Sequence, residues 1–264
     1  MRFSVRFGLR HPILALRVVL RRKTVEQAFG DLLRAQLRGI TERYDRLRSE
    51  GRTSLAQPPE QLQATMTALL RPTWPEPVMA LTPWHGFLYL AAREARPRVV
   101  VETGVWYGWS SAALLQALHD NGEGRLISID LPTAQQTTRQ VGADVVQSAL
   151  LAPSHSVGSS VPSELRDRWD LRLGDALRVL PELFRTERPI SIFIHDSLHT
   201  YDHMTAEYTL GFEALAPGGL LVSDDIRMNA AWEDFCRSHG IAPTQLARRR
   251  TGEGTFGFGR KPGT

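Results

Sequence analysis

Hydrophobic and polar positions along the second half of the chain predict alternating strands and helices. Four short apolar, β-branched runs are typical of buried parallel strands: Arg98–Glu102, Leu126–Asp130, Ile190–His195 and Leu220–Ser223. A weaker strand is predicted at Asp170–Leu173. Helical spacing intervenes at Ser110–His119, Ala176–Phe184 and Tyr201–Leu215. This alternation predicts an α/β fold with a doubly wound, mostly parallel sheet that binds ligands beyond the C-terminal ends of its strands.

Two more strands are predicted after the last parallel run. Thr244–Arg250 and Thr255–Arg260 are separated by Gly252-Glu-Gly254, which favours a hairpin. The sheet is therefore expected to end with an antiparallel strand.

The first part of the chain predicts a helical extension. Apolar residues recur at helical spacing from Val25 to Ile40, and a short helix is predicted at about Glu60–Leu70. The proline-rich stretch 71–77 follows. We therefore expect an extension at residues 1–75 and a main domain at residues 76–264.

One connection is long for a single crossover, since 39 residues separate Asp130 from Asp170. Such an insertion is interpreted either as a lid or binding loop, or as an extra surface helix.

Charge is distributed unevenly. Residues 1–23 carry seven Arg and Lys residues and no acid, so the net charge of +4 becomes −3 without them. This segment predicts either peripheral contact with a membrane surface or a helix packed on a partner subunit of a homo-oligomer. The single cysteine, Cys236, and the lack of an export signal predict a cytoplasmic protein.

A nucleoside site is predicted at the segment Glu102–Ser110, which includes Gly104 and Tyr107 and joins a buried strand to a helix. Its glycine allows a ligand to approach the backbone, and the helix start offers free amides. Trp106 stands where a pyrophosphate-binding loop needs a second glycine, which favours a ligand without phosphates. Asp130 could accept hydrogens from ribose hydroxyls, or could form a turn before Pro132. Asp175, next to Ala176, could border an adenine ring or act as a helix N-cap.

A chemical site is predicted where the next two strands end. Asp196 and Asp224 follow neighbouring strands, and converging carboxylates favour a bound cation such as Mg²⁺. His199 is suited to accept a proton from a hydroxyl. Alternatively, His199 packs against its helix and Asp224-Asp225 forms a turn, while His195 and His203 are interpreted as structural or surface residues.

These motifs together resemble the class I S-adenosylmethionine-dependent methyltransferases, and in particular bacterial small-molecule O-methyltransferases of the macrolide-sugar type. The segments that carry the resemblance are VVVETGVWYGWSS, ISID, LRLGDA, IFIHDSLHTYDHM and LAPGGLLVSDDI. The resemblance implies a seven-stranded Rossmann-like sheet. It also implies that Glu102 and Gly104 border the methionine portion, Asp130 the ribose and Asp175 the adenine of the cofactor.

The same resemblance implies a chemistry. Asp196, Asp224 and Asp225 match metal ligands of metal-assisted O-methyltransferases, and His199 matches their base. We expect methyl transfer to a hydroxyl of a small molecule, such as a sugar or secondary metabolite.

Two other functions stay open at this stage. A cephalosporin hydroxylase-like oxygenase of the same fold could use His195, Asp196 and His199 as iron ligands. A non-catalytic membrane- or nucleic-acid-binding module is the other, although the sequence contains no nucleic-acid-binding motif and no specific nucleic acid is expected.

Overall fold

The computed structural model describes residues 25–70, 81–132, 139–141, 144–146, 156–249 and 254–263. Several predicted features lie outside these residues: the basic segment 1–23, the proline-rich stretch 71–77, part of the long connection, and Gly252 and Glu253 of the hairpin turn. None of the described helices is long and apolar enough to cross a membrane.

Nine strands are described, and seven of them form one sheet. They are β1 (Val99–Thr103), β2 (Arg125–Asp130), β3 (Arg139–Val141), β4 (Asp144–Val146), β5 (Trp169–Leu173), β6 (Ile190–His195), β7 (Leu215–Ser223), β8 (Thr244–Ala247) and β9 (Thr255–Arg260). The order in the large sheet is β5-β2-β1-β6-β7-β9-β8. The first five strands in that order are parallel, and β9 runs antiparallel between β7 and β8. The predicted doubly wound sheet with a terminal antiparallel hairpin is confirmed.

The observed bounds of five strands differ from the predicted ones, and β2 and β5 each begin one residue earlier than predicted. β1 begins and ends one residue later than predicted. β7 begins at Leu215 because Leu215 pairs with Ile190, and a register shift then accommodates the Pro-Gly-Gly turn before Leu220. β8 ends at Ala247, and the side chain of Arg248, the next residue, is directed toward Asp224.

Seven α-helices are described, two of which have no counterpart in the prediction. They are α1 (Val25–Ser49), α2 (Pro59–Ala68), α3 (Pro83–Ala95), α4 (Trp109–Asn121), α5 (Ala176–Thr186), α6 (Tyr201–Ala214) and α7 (Ala231–Ser238). The prediction lacked α3 because nearly all of its residues from Pro83 to Ala92 are buried, so that no polar face alternates with the apolar one. It also lacked α7, which spans only eight residues.

The described part of the predicted extension shares a hydrophobic core with the sheet. Buried side chains of α1 and α2, including Leu37 and Met66, belong to the same cluster as Val100 of β1 and Phe256 of β9. Gln63 of α2 also exchanges two hydrogen bonds with the backbone of Ala247, at 2.9 and 3.2 Å. Residues 25–70 are therefore packed against the sheet.

The long connection contains a short antiparallel pair, β3 and β4, and a 3₁₀ helix at Ser163–Arg168. Its described residues include no α-helix, so the surface-helix interpretation is not supported there. Residues 156–162 return to the edge of the sheet and lie over the loop after β1.

A half-buried histidine closes the start of α3. The Thr82 N–H donates to Nδ1 of His85 at 2.9 Å, which places His85 where glutamate or glutamine usually completes a capping box. Burial, reinforced by the charge of Arg248, lowers the pKa of His85 to about 3. Protonation of His85 would place a second hydrogen against the Thr82 N–H and a charge in the core.

We expect this histidine to make the fold acid-sensitive. Its folded pKa lies below the unfolded value near 6.5, so stability is fully present above about pH 6.5 and is lost as the pH falls toward 3. His85→Gln can keep the hydrogen bond to the Thr82 N–H but does not titrate. The free energy of unfolding should therefore fall by up to about 2 kcal/mol less in this variant than in the parent protein between pH 7 and 5. Urea unfolding at both pH values measures this, with exposed His119→Gln as the control. An unchanged pH dependence in His85→Gln would contradict the assignment.

Candidate active site

The loop after β1 crosses directly above the end of β6. Gly104 has φ +83°, and a Cβ there would lie 1.9 Å from the carbonyl oxygen of Asp196. Only glycine therefore permits this approach, since no side chain fits and the conformation is left-handed. The contact brings the predicted cofactor loop and the predicted chemical site side by side.

The carboxylate of Asp130, at the tip of β2, holds this loop in place. One of its oxygens accepts hydrogen bonds from the N–H groups of Val105 at 3.0 Å and Trp106 at 2.8 Å. The other accepts from Leu131 N–H at 2.7 Å. Burial raises the pKa of Asp130, and these three backbone bonds act in the opposite direction. Asp130 thus shapes the loop, a role that the sequence analysis did not assign.

Glu102 lies beneath the loop and is fully buried. Its Oε2 accepts hydrogen bonds from Ser111 at 2.6 Å and Ser128 at 2.8 Å, and Oε1 has no partner. Burial raises the pKa of Glu102, while hydrogen bonds from serine side chains act in the opposite direction. Ser111 and Ser128 therefore hold Glu102 behind the loop.

The returning connection covers the same loop. The Gly158 N–H donates to the carbonyl of Trp106 at 2.8 Å, and the Ser160 N–H donates to the carbonyl of Tyr107 at 3.0 Å. Tyr107 is half-buried, whereas the Trp106 side chain is 42% exposed. The connection therefore borders the predicted cofactor site.

Asp175 is the N-cap of α5, because its side chain accepts a hydrogen bond from the Leu177 N–H at 2.9 Å. This is the structural role left open from the sequence. Asp175 nevertheless lies near the tip of β2, since the N–H of the preceding residue, Gly174, donates to the Asp130 carbonyl at 2.8 Å. Asp175 is exposed, and Ala176 is buried.

The ends of β6 and β7 bring three aspartates and an arginine together. The pairing of His195 with Ser223 places Asp196 beside Asp224, as predicted from the adjacent strands. Burial raises the pKa of Asp224 to about 6, and burial together with repulsion from Asp224 raises the pKa of Asp196 well above its ordinary value. Arg248 Nη1 lies 2.7 Å from Asp224 Oδ2 and 3.4 Å from Asp225 Oδ2. Arg248 had no role in the sequence analysis.

The three aspartates have carboxylate oxygens, which divalent cations prefer, but their side chains are not arranged as a metal-binding site. Asp224 is fully buried, and neither of its carboxylate oxygens has a hydrogen-bond partner. Its contact with Arg248 is therefore an ion pair without hydrogen-bond geometry. Within the part of the chain that the structure describes, no three His, Cys, Asp or Glu residues are placed to hold a metal ion.

His199 lies in the same region, after β6. Its ring is 5.1 Å from that of His195, edge to face, and its Nε2 is buried without a hydrogen-bond partner. Burial lowers the pKa of His199 to about 3, and the charges of His195 and Arg248 act in the same direction. The imidazole is therefore neutral near pH 7 and has a nitrogen available to accept a proton.

Glu207 of α6, which the sequence analysis did not single out, organises the residues around His199. It is fully buried. One carboxylate oxygen interacts with His195 Nδ1 at 2.7 Å and accepts from Thr103 Oγ1, and the other interacts with Ser197 and His203, each at 2.8 Å. Burial opposes its charge, but His195 and the hydrogen bonds outweigh it and lower the pKa of Glu207. The four-residue spacing from His203 to Glu207 on the helix was the available signal.

The chain matches a family model described as a methyltransferase domain over residues 101–226. The fold is similar to that of the O-methyltransferase TomG from Streptomyces achromogenes, involved in tomaymycin synthesis and solved with SAM. The two are 21% identical with a TM-score of 0.51, over 69% of this chain and 80% of TomG. An O-methyltransferase from Bacillus cereus, solved with SAH, is 14% identical with a TM-score of 0.51, over 84% of this chain and 90% of that one. A comparison with curated protein sequences finds no match.

The family match over residues 101–226 and the strand order identify a methyltransferase domain with a seven-stranded Rossmann-like fold. The protein is therefore an enzyme, and the fold expected from the resemblance is confirmed.

We expect Glu207 to be a major source of stability. Glu207→Gln would place an amide N–H₂ against two of the four donor groups and remove the buried charge, so the free energy of unfolding should fall by about 2–4 kcal/mol. Urea denaturation at pH 7 measures this. Exposed Glu213→Gln on the same helix is the matched control and should change stability little. Equal stability of Glu207→Gln and the parent protein would show that the cluster contributes nothing.

Proposed function

We propose that the enzyme transfers a methyl group from S-adenosylmethionine to a hydroxyl of a small molecule, such as a sugar or secondary metabolite. The observation that carries this proposal is the contact between Gly104 and Asp196. It joins a nucleoside-type loop to a buried group of carboxylates and a neutral histidine.

For the cofactor, we propose that Asp130 accepts a ribose hydroxyl in addition to its three backbone bonds. A carboxylate offers about four acceptor positions, so one remains. Glu102, Gly104, Tyr107 and Ser110 would border the methionine portion, and Asp175 and Ala176 the adenine. These residues belong to the predicted main domain, residues 76–264, to which residues 1–75 would be an extension.

For the chemistry, we propose that the acceptor oxygen attacks the methyl carbon of the sulfonium. The new O–C bond forms as the C–S bond breaks, and S-adenosylhomocysteine leaves. His199 takes the hydroxyl proton on its buried Nε2, which has no hydrogen-bond partner in the protein. Alignment of oxygen, carbon and sulfur is the main demand on the protein.

We further propose Asp196, Asp224 and Asp225 as ligands of a divalent ion. Mg²⁺ is the proposed ion because it is a hard cation that prefers oxygen ligands such as these carboxylates. When bound, the ion would lower the pKa of the acceptor hydroxyl. Neither oxygen of Asp224 has a hydrogen-bond partner, and Oδ1 is not paired with Arg248, which supports this. Peripheral membrane contact through residues 1–23, homo-oligomerisation and a cytoplasmic location stay predictions.

The role of Asp130 can be tested by calorimetry with S-adenosylmethionine. Asp130→Ala should weaken binding by about 1–3 kcal/mol, because charge-assisted bonds to the ribose and the anchor of the loop are both lost. Asp130→Asn keeps one acceptor oxygen, so its affinity for S-adenosylmethionine should lie between those of Asp130→Ala and the parent protein. Asp170→Ala on neighbouring β5 is the control. Unchanged affinity in folded Asp130→Ala would place the ribose elsewhere.

The role of His199 can be tested once a screen for methylated products has given an acceptor. His199→Ala should reduce S-adenosylhomocysteine formation by about 10²-fold or more, the scale of a lost general base, with cofactor affinity nearly unchanged. Exposed His119→Ala is the control. Near-normal turnover in His199→Ala would exclude this base.

The same assay tests the divalent ion separately. A chelator should suppress turnover, and added Mg²⁺ or Mn²⁺ should restore it. Full activity in chelator would remove the metal proposal and leave methyl transfer itself intact.

A further inference from the structure

Among the residues that the structure describes, four large hydrophobic side chains are exposed to solvent: Trp106, Leu173, Tyr201 and Met228. Trp106 lies in the loop after β1, Leu173 is the last residue of β5, Tyr201 begins α6 after β6, and Met228 lies in the loop after β7. All four therefore lie at the edge of the sheet where its parallel strands end. Exposed apolar side chains that gather in one place mark a surface for a ligand or partner.

The strand order divides these side chains into two pairs. Leu173 pairs with Asp130, and the Trp106 N–H donates to the Asp130 carboxylate, so both flank the proposed cofactor site. Tyr201 and Met228 follow β6 and β7, which lie on the opposite side of β1 from β2 and β5. The proposed cofactor can cover the first pair, which leaves the second pair to another ligand.

Tyr201 and Met228 are both linked to the position of His199. Tyr201 follows His199 by two residues. Met228 precedes Asn229, whose Nδ2 donates to the His199 carbonyl at 3.2 Å. Met228 is itself held in a turn, because its N–H donates to the Asp225 carbonyl at 3.0 Å. A molecule that presents a hydroxyl to His199 would therefore meet these two side chains.

The two side chains offer apolar contacts rather than hydrogen bonds. Tyr201 is 44% exposed, but its hydroxyl donates to Asp234 Oδ2 at 3.2 Å, so a ligand would meet its ring. Met228 is 67% exposed, and a thioether makes favourable contacts with aromatic rings. An aromatic ring fits this pair better than a sugar, because the hydroxyls of a sugar would lose hydrogen bonds to water without replacement.

The charged side chains next to this pair do not form a site for an anion. Asp202, Glu233 and Asp234 are acidic, and Arg237 already pairs with Asp234 at 3.0 Å. Arg227 remains, but a phosphate group near it would also meet the three acids. Like charges at short distance repel, so the surroundings favour an uncharged acceptor over a phosphorylated one.

We propose that the acceptor is an uncharged aromatic compound that bears the reacting hydroxyl, a phenol in its simplest form, and that Tyr201 and Met228 hold its ring beside His199. The inference rests on the proposed methyl transfer and adds to it the chemical class of the acceptor. Between a sugar and a secondary metabolite, it selects an aromatic secondary metabolite.

The first test compares four probes by calorimetry on the full chain in the presence of S-adenosylhomocysteine. The probes are naphthol, its saturated counterpart decahydronaphthol, naphthyl phosphate and methyl glucoside. Naphthol should bind at least about tenfold more tightly than naphthyl phosphate or methyl glucoside, because only naphthol combines a flat apolar body with a neutral hydroxyl. Decahydronaphthol keeps the apolar area but has no aromatic ring, so its affinity should lie between these extremes.

The second test assigns naphthol binding to the two side chains. Met228→Gln keeps the length of the side chain but makes its end polar, and should weaken naphthol binding by about three- to tenfold. Tyr201→Ser should weaken it by a similar factor, and Tyr201→Phe, which keeps the ring, should lose less affinity. Both residues are exposed, so these variants should fold as the parent protein does. Exposed Glu213→Gln at the other end of α6 is the control and should bind naphthol as the parent protein does.

Three results would overturn the proposal. These are equal affinity for naphthol and methyl glucoside, tighter binding of naphthyl phosphate than of naphthol, and unchanged naphthol affinity in both Met228→Gln and Tyr201→Ser. S-adenosylmethionine affinity, measured on the same preparations, separates the acceptor class from the proposed function. If the cofactor binds and naphthol does not, the acceptor class fails alone. If naphthol binds and the cofactor does not, the proposed methyl transfer fails and the acceptor class fails with it.

Discussion

The close approach of Gly104 to the backbone of Asp196 is the constraint on which the site depends. It is possible because β1 and β6 are parallel neighbours whose ends lie at the same edge of the sheet, and because residue 104 has no side chain. The loop then turns so that the amides of Val105 and Trp106 face Asp130 on the other neighbour of β1. The loop after β1 is therefore held against the ends of both neighbouring strands, β6 and β2.

Two buried carboxylates illustrate how burial alone does not define a role. Glu207 interacts with four donor groups and stays charged within a satisfied network, which is typical of a structural residue. Asp224 is equally buried but leaves both oxygens without hydrogen bonds and has its pKa raised. Such unsatisfied groups are usually retained for function, and the contrast supports the proposal that Asp224 takes part in the chemistry.

Much of the sheet could be predicted because its central strands are buried on both faces, so that runs such as Ile190–His195 stand out from their surroundings. The positions of Asp130 and Asp196 followed from those runs, since parallel strands end at one edge. The helix α3 could not be predicted in the same way, because burial on all sides removes the periodicity that identifies a helix. Glu207 and Arg248 were missed for a different reason. Their roles depend on contacts with residues that are distant in the sequence, which α6 and the β8–β9 hairpin bring close only in the folded protein. The residues that flank Glu207 and Arg248 in the sequence do not indicate these contacts.

The position of β9 between β7 and β8 has a consequence for the order in which the molecule assembles. The ribosome makes β8 before β9, yet the only strand partner of β8 among the described strands is β9. β8 can therefore join the sheet only through β9, whether the two strands dock on β7 as a hairpin or one after the other. Arg248 follows β8 directly, so its approach to the aspartates depends on the same pairing of β9 with β7.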